Sequence, residues 1–244
     1  MKEYYNQRYA KTQLDLDEKG NTFEKIRDVW QECKMPMRVL DIGCGAGSVS
    51  GELVRRGHLV HGLDVLEEAV CRAKRRGIQA EVYDLNRLPL PFEENHFDCV
   101  LALDILEHLY DPLGLLRDLY RLLAPDGFAI VFLPLHFDIR QRLRILTGKG
   151  ILLYEHLLYD PNCKPWEYFH IRFFTLGEAQ DLLRIARFRI DAQVFRPMVI
   201  SDLHVYEKPF RIGRILKYLT SRHPALFASG VKMVVSKLDS SEKT

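Results

Sequence analysis

No run of this 244-residue chain approaches the length of about 20 apolar residues that a membrane-spanning helix needs. Its beginning, Met1-Lys2-Glu3-Tyr4-Tyr5-Asn6, has no apolar core region and does not read as a secretory signal. The five cysteines, at 33, 44, 71, 99 and 163, have no paired spacing. An odd, scattered set argues against a disulfide or zinc framework and for reduced thiols in a cytoplasm, most of them packed as small apolar residues. Net charge is only +2, so the field of the whole chain selects no class of partner. No internal repeat or low-complexity segment is visible. What remains is an ordinary globular composition, 47% apolar, at a length that suits one large domain or one domain with insertions.

The stretch Val39-Leu40-Asp41-Ile42-Gly43-Cys44-Gly45-Ala46-Gly47 organises the rest. The apolar run reads as a buried strand, and a helix is expected from about Ser48, with Ser48 as its N-cap. Glycines at alternate positions make a tight turn and let backbone approach a ligand closely, since no Cβ intervenes. A dinucleotide loop would be G-x-G-x-x-G, and its third glycine would fall at position 48, which is Ser. Asp41 would also repel a pyrophosphate, whereas a carboxylate there suits an ammonium group.

These residues resemble the first motif of the class I S-adenosylmethionine (SAM)-dependent methyltransferases, D/E-x-G-x-G-x-G, at Asp41, Gly43, Gly45 and Gly47. Cys44 lies within the same loop. The resemblance continues along the chain. A second strand ends at Asp64, 23 residues after Asp41, where the family places an acid for the ribose hydroxyls; Val65 follows it. A third strand ends at Asp84-Leu85, matching the acid that accepts from the adenine amino group and a residue lying against the ring. Leu88-Pro89-Leu90-Pro91-Phe92 leads to Phe97-Asp98 and a fourth strand ending at Leu103, as in the family. Asp104-Ile105-Leu106-Glu107-His108-Leu109-Tyr110-Asp111-Pro112 resembles the D-x-L-E-H-L-x-D-P stretch of its small-molecule branch. Three roles stand open for Asp104, Glu107 and His108: orienting and deprotonating an acceptor, holding a divalent metal, or capping the next helix. A helix over 113–123, a Pro125-Asp126-Gly127 turn and a fifth strand over 128–133 follow. At the N-terminus, Tyr5, Arg8 and Tyr9 match a Y-x-x-R-Y lid pattern; Arg8 and Tyr9 are then cofactor residues, and an ordinary N-terminal helix is the other reading of residues 1–35.

Two segments depart from the minimal fold. Residues 135–172 and 196–229 read as insertions over the substrate side. The first ends at His170-Ile171-Arg172-Phe173-Phe174-Thr175, where Arg172 faces an acceptor or tethers the insertion, and Thr175 with Glu178 makes a capping box for a helix to 186. In the second, Ile212, Ile215, Leu216 and Leu219 form an apolar stripe opposite Arg211, Arg214 and Lys217. Residues 208–222 therefore read as a surface helix with a solvated face, or as one lying on an anionic membrane. A sixth strand covers 189–195 and a seventh, antiparallel, 230–237.

The expected fold is α/β: a Rossmann-like, doubly wound, mostly parallel sheet of seven strands, the last antiparallel, with helices on both faces of one domain. The resemblance implies SAM as cofactor and methyl transfer to a small-molecule, sugar-linked or lipid-linked acceptor at oxygen or nitrogen. His108, His136 and His170 have suitable chemistry for a catalytic base, and no metal is assigned. No N-P-P-Y or D-P-P-Y follows the fourth strand and no aromatic-basic platform is present, so nucleic acid is not the expected acceptor. A non-catalytic SAM-binding subunit is the alternative.

Overall fold

The apolar runs are four to seven residues long and bounded by glycine or polar turns, so they pair as strands rather than coil as helices. In the computed structural model, residues 36–151, 170–197 and 210–238 are described, with backbone only for 210–213. The expected lid with Tyr5, Arg8 and Tyr9, and the insertion segments 152–169 and 198–209, lie outside the described residues.

The strands are β1 (Arg38–Ile42), β2 (Leu59–Asp64), β3 (Gln79–Val82), β4 (Phe97–Leu103), β5 (Leu123–Pro134), β6 (Phe188–Pro197) and β7 (Ala228–Lys237). They form one sheet in the order β3-β2-β1-β4-β5-β7-β6. β1 to β5 are parallel, and β7 is antiparallel to both its neighbours. The described helices are α1 (Ser50–Arg55), α2 (Glu67–Arg75), α3 (Pro112–Leu122), α4 (Ile139–Leu146), α5 (Leu176–Ile185), α6 (Phe210–Arg222) and the single turn α7 (Pro224–Phe227).

Strand side chains alternate between faces, and both faces are apolar, which is why helices cover both. Val39, Cys99, Leu101 and Ile130 pack with Leu53 of α1 and with Val70 and Ala73 of α2. Their neighbours Leu40, Val100, Ala102, Ala129 and Val131 pack on the other face with Leu115, Leu116 and Leu119 of α3 and with Ala179 and Leu183 of α5. After β3 the chain returns to the other side of β1. That reversal opens a crevice beyond the carboxyl ends of β1 and β4, where such sheets bind ligands.

Several local expectations change. α1 begins at Ser50 with Val49 at the cap position, so Ser48 is not its N-cap. Pro125-Asp126-Gly127 is a bulge inside β5 rather than a turn before it: pairing passes from Phe97–Leu123 to Cys99–Phe128. The helix α4, capped by the Asp138 carboxylate at the Arg140 and Gln141 N–H groups, is an addition to the expected elements; Ile139, Leu143 and Leu146 fall at helical spacing along it. The Thr175–Glu178 capping box forms as read. On α6, Ile215 is exposed beside the cations instead of lying in the apolar stripe with Leu216 and Leu219.

Candidate functional site

The glycine loop is fixed by backbone bonds across the sheet. The N–H groups of Gly43 and Cys44 both donate to the Leu63 carbonyl, at 2.8 and 3.0 Å. Gly43 has φ +71°, and a Cβ there would lie 2.8 Å from Ile105 Cδ1, so loop and post-β4 segment touch through a glycine that no other residue replaces without strain. Cys44 is buried with its Sγ against Gly62, a packing residue whose place in the loop is set by β2.

Asp64 holds the loop from the side. Its Oδ2 accepts from Gly45 N–H and its Oδ1 from Leu66 N–H, both at 2.9 Å. Each carboxylate oxygen has a further lone pair, so the group stays able to accept hydroxyls while its position is fixed. Asp41 is 4% exposed and accepts a short hydrogen bond from the Ser50 hydroxyl, which latches the loop's acid to the first turn of α1. Asp84 is exposed at the end of β3 and accepts from the backbone and side-chain amides of Asn86, both at 3.0 Å. Leu85, expected against a ring, is turned into the main core, while Val65 and Leu103 are half-buried. The three acids thus stand at or just past three successive strand ends. Arg8 and Tyr9 lie outside the described residues.

Beyond β4, Asp104 takes a left-handed backbone, φ +52°, and donates its N–H to the Phe132 carbonyl at 3.1 Å. A single 3-10 turn over Leu106–His108 follows. The capping role open for Glu107 belongs instead to Asp111, whose carboxylate accepts from Gly114 N–H at 2.8 Å. The side chain of Glu107 is fully buried, with Oε1 3.8 Å from His108 Nε2 and 3.9 Å from His170 Nε2. Its carbonyl accepts the N–H groups of Ile171 and Arg172. The Arg172 guanidinium donates to the Leu109 and Tyr110 carbonyls, so Arg172 is a tether.

His136 and His170, 34 residues apart, meet at 2.9 Å between Nε2 and Nδ1. His136 Nδ1 accepts the Phe174 N–H at 3.2 Å, which puts the His136 proton on Nε2. That proton is donated to His170 Nδ1, so the His170 proton sits on Nε2, on the side of Glu107. Both residues are therefore held as an oriented chain and neither presents an open lone pair in this state. His108 stands outside that bond, with its ring 4.8 Å from the His170 ring. Glu107, His108 and His170 each bring one ligand atom within 4.8 Å of the others, close enough for a divalent cation. A cation on His170 Nε2 needs the opposite tautomer, which would set two N–H groups against each other at His136 and Phe174. The donor set fits proton handling better than metal binding. Asp104 is not part of it.

Sequence reasoning named each histidine separately and missed their pairing, the Glu107–His170 proximity and the Ser50–Asp41 latch. None has a local sequence signal, since each joins separate elements.

Residues 40–131 match a family described as "Methyltransferase domain". Ubiquinone biosynthesis O-methyltransferases are similar over part of the chain. That of Shewanella sp. (strain ANA-3) is 31% identical over 121 residues, covering 48% of this chain and 51% of the relative. One from Pseudomonas putida is 36% identical over 121 residues, covering 48% and 52%. The chain thus matches about half the length of these curated relatives. Among solved structures, a Pyrococcus horikoshii protein superposes with TM-score 0.62 at 19% identity, covering 98% of this chain and all of the other. A SAM-dependent methyltransferase from Archaeoglobus fulgidus gives TM-score 0.60 at 17% identity, covering 88% and 92%. These likenesses show the fold. The matched residues hold the glycine loop and its three acids, so residues 40–131 are a methyltransferase domain.

Proposed function

We propose that this protein transfers a methyl group from SAM to an oxygen or nitrogen of a small-molecule acceptor. The observation that carries the reading is the meeting, outside the carboxyl ends of β1 and β4, of an acid-lined glycine loop with a buried histidine–glutamate cluster. Carboxylates at three strand ends suit a ligand bearing a cation and hydroxyls rather than a polyanion. In this reading Asp41 faces the ammonium, Asp64 the ribose hydroxyls and Asp84 the adenine amino group, with Gly43 to Gly47 giving close backbone approach.

When bound, SAM supplies a methyl group on a positively charged sulfur. The chain's own work is alignment and proton control. His136 holds His170, and His170 turns an N–H toward Glu107. His108, beside the same carboxylate, is the base we assign. A non-catalytic SAM-binding subunit would have no use for this buried chain. The relatives named as ubiquinone biosynthesis O-methyltransferases favour oxygen as the acceptor atom.

Calorimetry with SAM and S-adenosylhomocysteine, followed by an acceptor screen read by mass for the gain of one methyl, tests the reading. His108→Ala is expected to lower kcat by about 100-fold, with SAM affinity unchanged. Folded protein that binds neither compound would end it.

A further inference from the structure

Two helices at one corner of the molecule bury little of themselves. No residue of α4 is buried, and Leu143, Ile145 and Leu146 are exposed, Leu146 by 82%. α6 turns Leu216, Leu219 and Thr220 inward and leaves Ile215, 56% exposed, and Tyr218, 60% exposed, outward beside Arg214, Lys217 and Arg222. Single exposed apolar residues are normal. Five large ones on two short helices linked through α7 are more than that.

The charge there has one sign. Residues 138–150 hold four cations and one acid, and residues 210–227 hold four cations and no acid, in a chain whose net charge is +2. The two segments are tied: Arg142 of α4 donates to the Ala225 carbonyl of α7, the turn that directly follows α6, at 3.4 Å. Their place is also fixed by the sheet. α4 starts just after β5, and α6 and α7 lead into β7, whose Gly230 pairs with Pro134 at the carboxyl end of β5. His136 lies two residues beyond that pair. The corner therefore borders the mouth of the crevice.

We propose that α4 and α6 together form a docking face for an anionic membrane surface. A bilayer interface rewards both features at once: its headgroups attract the cations, and the acyl boundary takes Leu146, Leu143 and Ile215 out of water. Nucleic acid would reward only the cations and leave the leucines wet. A second copy of the same face would set cations against cations. No described helix is long and apolar enough to cross a membrane, so the contact is peripheral. Resting on the methyltransferase reading, the face would bring the crevice to the bilayer and admit an acceptor with an apolar tail.

The test is co-sedimentation of the full chain with vesicles of phosphatidylcholine alone and of phosphatidylcholine mixed with phosphatidylglycerol, at low and high salt. Binding is expected on the anionic vesicles and to weaken with salt. Removing cations by Arg214→Ser with Lys217→Ser should weaken it by about fivefold for each charge. Leu146→Ser should weaken it as well, at both salt concentrations. SAM calorimetry on the same variants, expected unchanged, shows that they are folded and tests the enzymatic reading separately. Equal partition to neutral and anionic vesicles, or none to either, overturns the proposal. So does binding to single-stranded RNA that depends on Arg214 and Lys217 but not on Leu146.

Discussion

Asp64 carries two loads at one carboxylate. It stitches Gly45 and Leu66 together from opposite sides, so bonds of the chain itself hold the loop's shape. Asn at this position would turn an NH2 toward one of those two N–H groups. Asp64→Asn is expected to cost about 1–3 kcal/mol by chemical denaturation, and to weaken SAM binding in the folded fraction. Full stability with intact SAM affinity would show that neither load is real. His58 and His61 give a second prediction. Burial pushes both pKa values below the ordinary histidine value, and His58 Nδ1 accepts the Met37 N–H, which requires that nitrogen unprotonated. A folded-state pKa below the unfolded one means that the unfolded chain binds more protons in that interval. Stability is then complete above about pH 6.5 and falls as pH drops below it. Urea midpoints should be lower near pH 5.5 than near pH 7.5 (both roughly placed around the histidine value). His58→Asn, whose Oδ1 can still accept from Met37, should flatten the dependence; an unchanged slope would remove His58 from the account.

Helix ends show where local sequence suffices and where it does not. Thr175 and Glu178 cap α5 by a pattern contained in four residues, and the pattern forms. Asp111 caps α3 by the same logic, with Pro112 at the first helical position, yet Glu107 drew attention because its neighbours resemble a motif. Asp111→Ala is expected to cost about 1 kcal/mol. Measured beside it, Glu107→Gln, an isosteric change, should leave the thermal transition of α3 packing intact while lowering turnover; a loss of stability matching the Asp111 variant would return Glu107 to a capping role. The strands were legible because their apolar runs alternate onto two helix-covered faces. α4 had a signal too, Asp138 as N-cap with Ile139, Leu143 and Leu146 at helical spacing, but it is only eight residues long inside a stretch that departs from the minimal fold. The bulge in β5 is a signal overridden: Pro-Asp-Gly is a turn signal, and only the Phe97–Leu123 pairing keeps the strand running past it.

At the scale of the whole molecule, the residues proposed to meet a cofactor come from the first half of the chain, where each acid follows its own strand and so has a signal in the sequence. The histidine pair was not, because His136 and His170 reach one another through tertiary structure alone. The sheet itself closes late. β7, from the end of the chain, slots between β5 and β6, and Met233 pairs with Val131 on one side and Gln193 on the other while fully buried. The half that carries the proposed cofactor site therefore depends for its stability on a strand outside that site. Met233→Ala should cost about 2–5 kcal/mol, the range for emptying a core site. β4 and β5 separate β7 from β1, so SAM affinity measured below the variant's unfolding transition should equal that of the unaltered protein. A fall in affinity in step with the fall in stability would mean that the crevice and the last strand are one energetic unit, and that the loop from Asp41 to Gly47 is not held by its own local bonds.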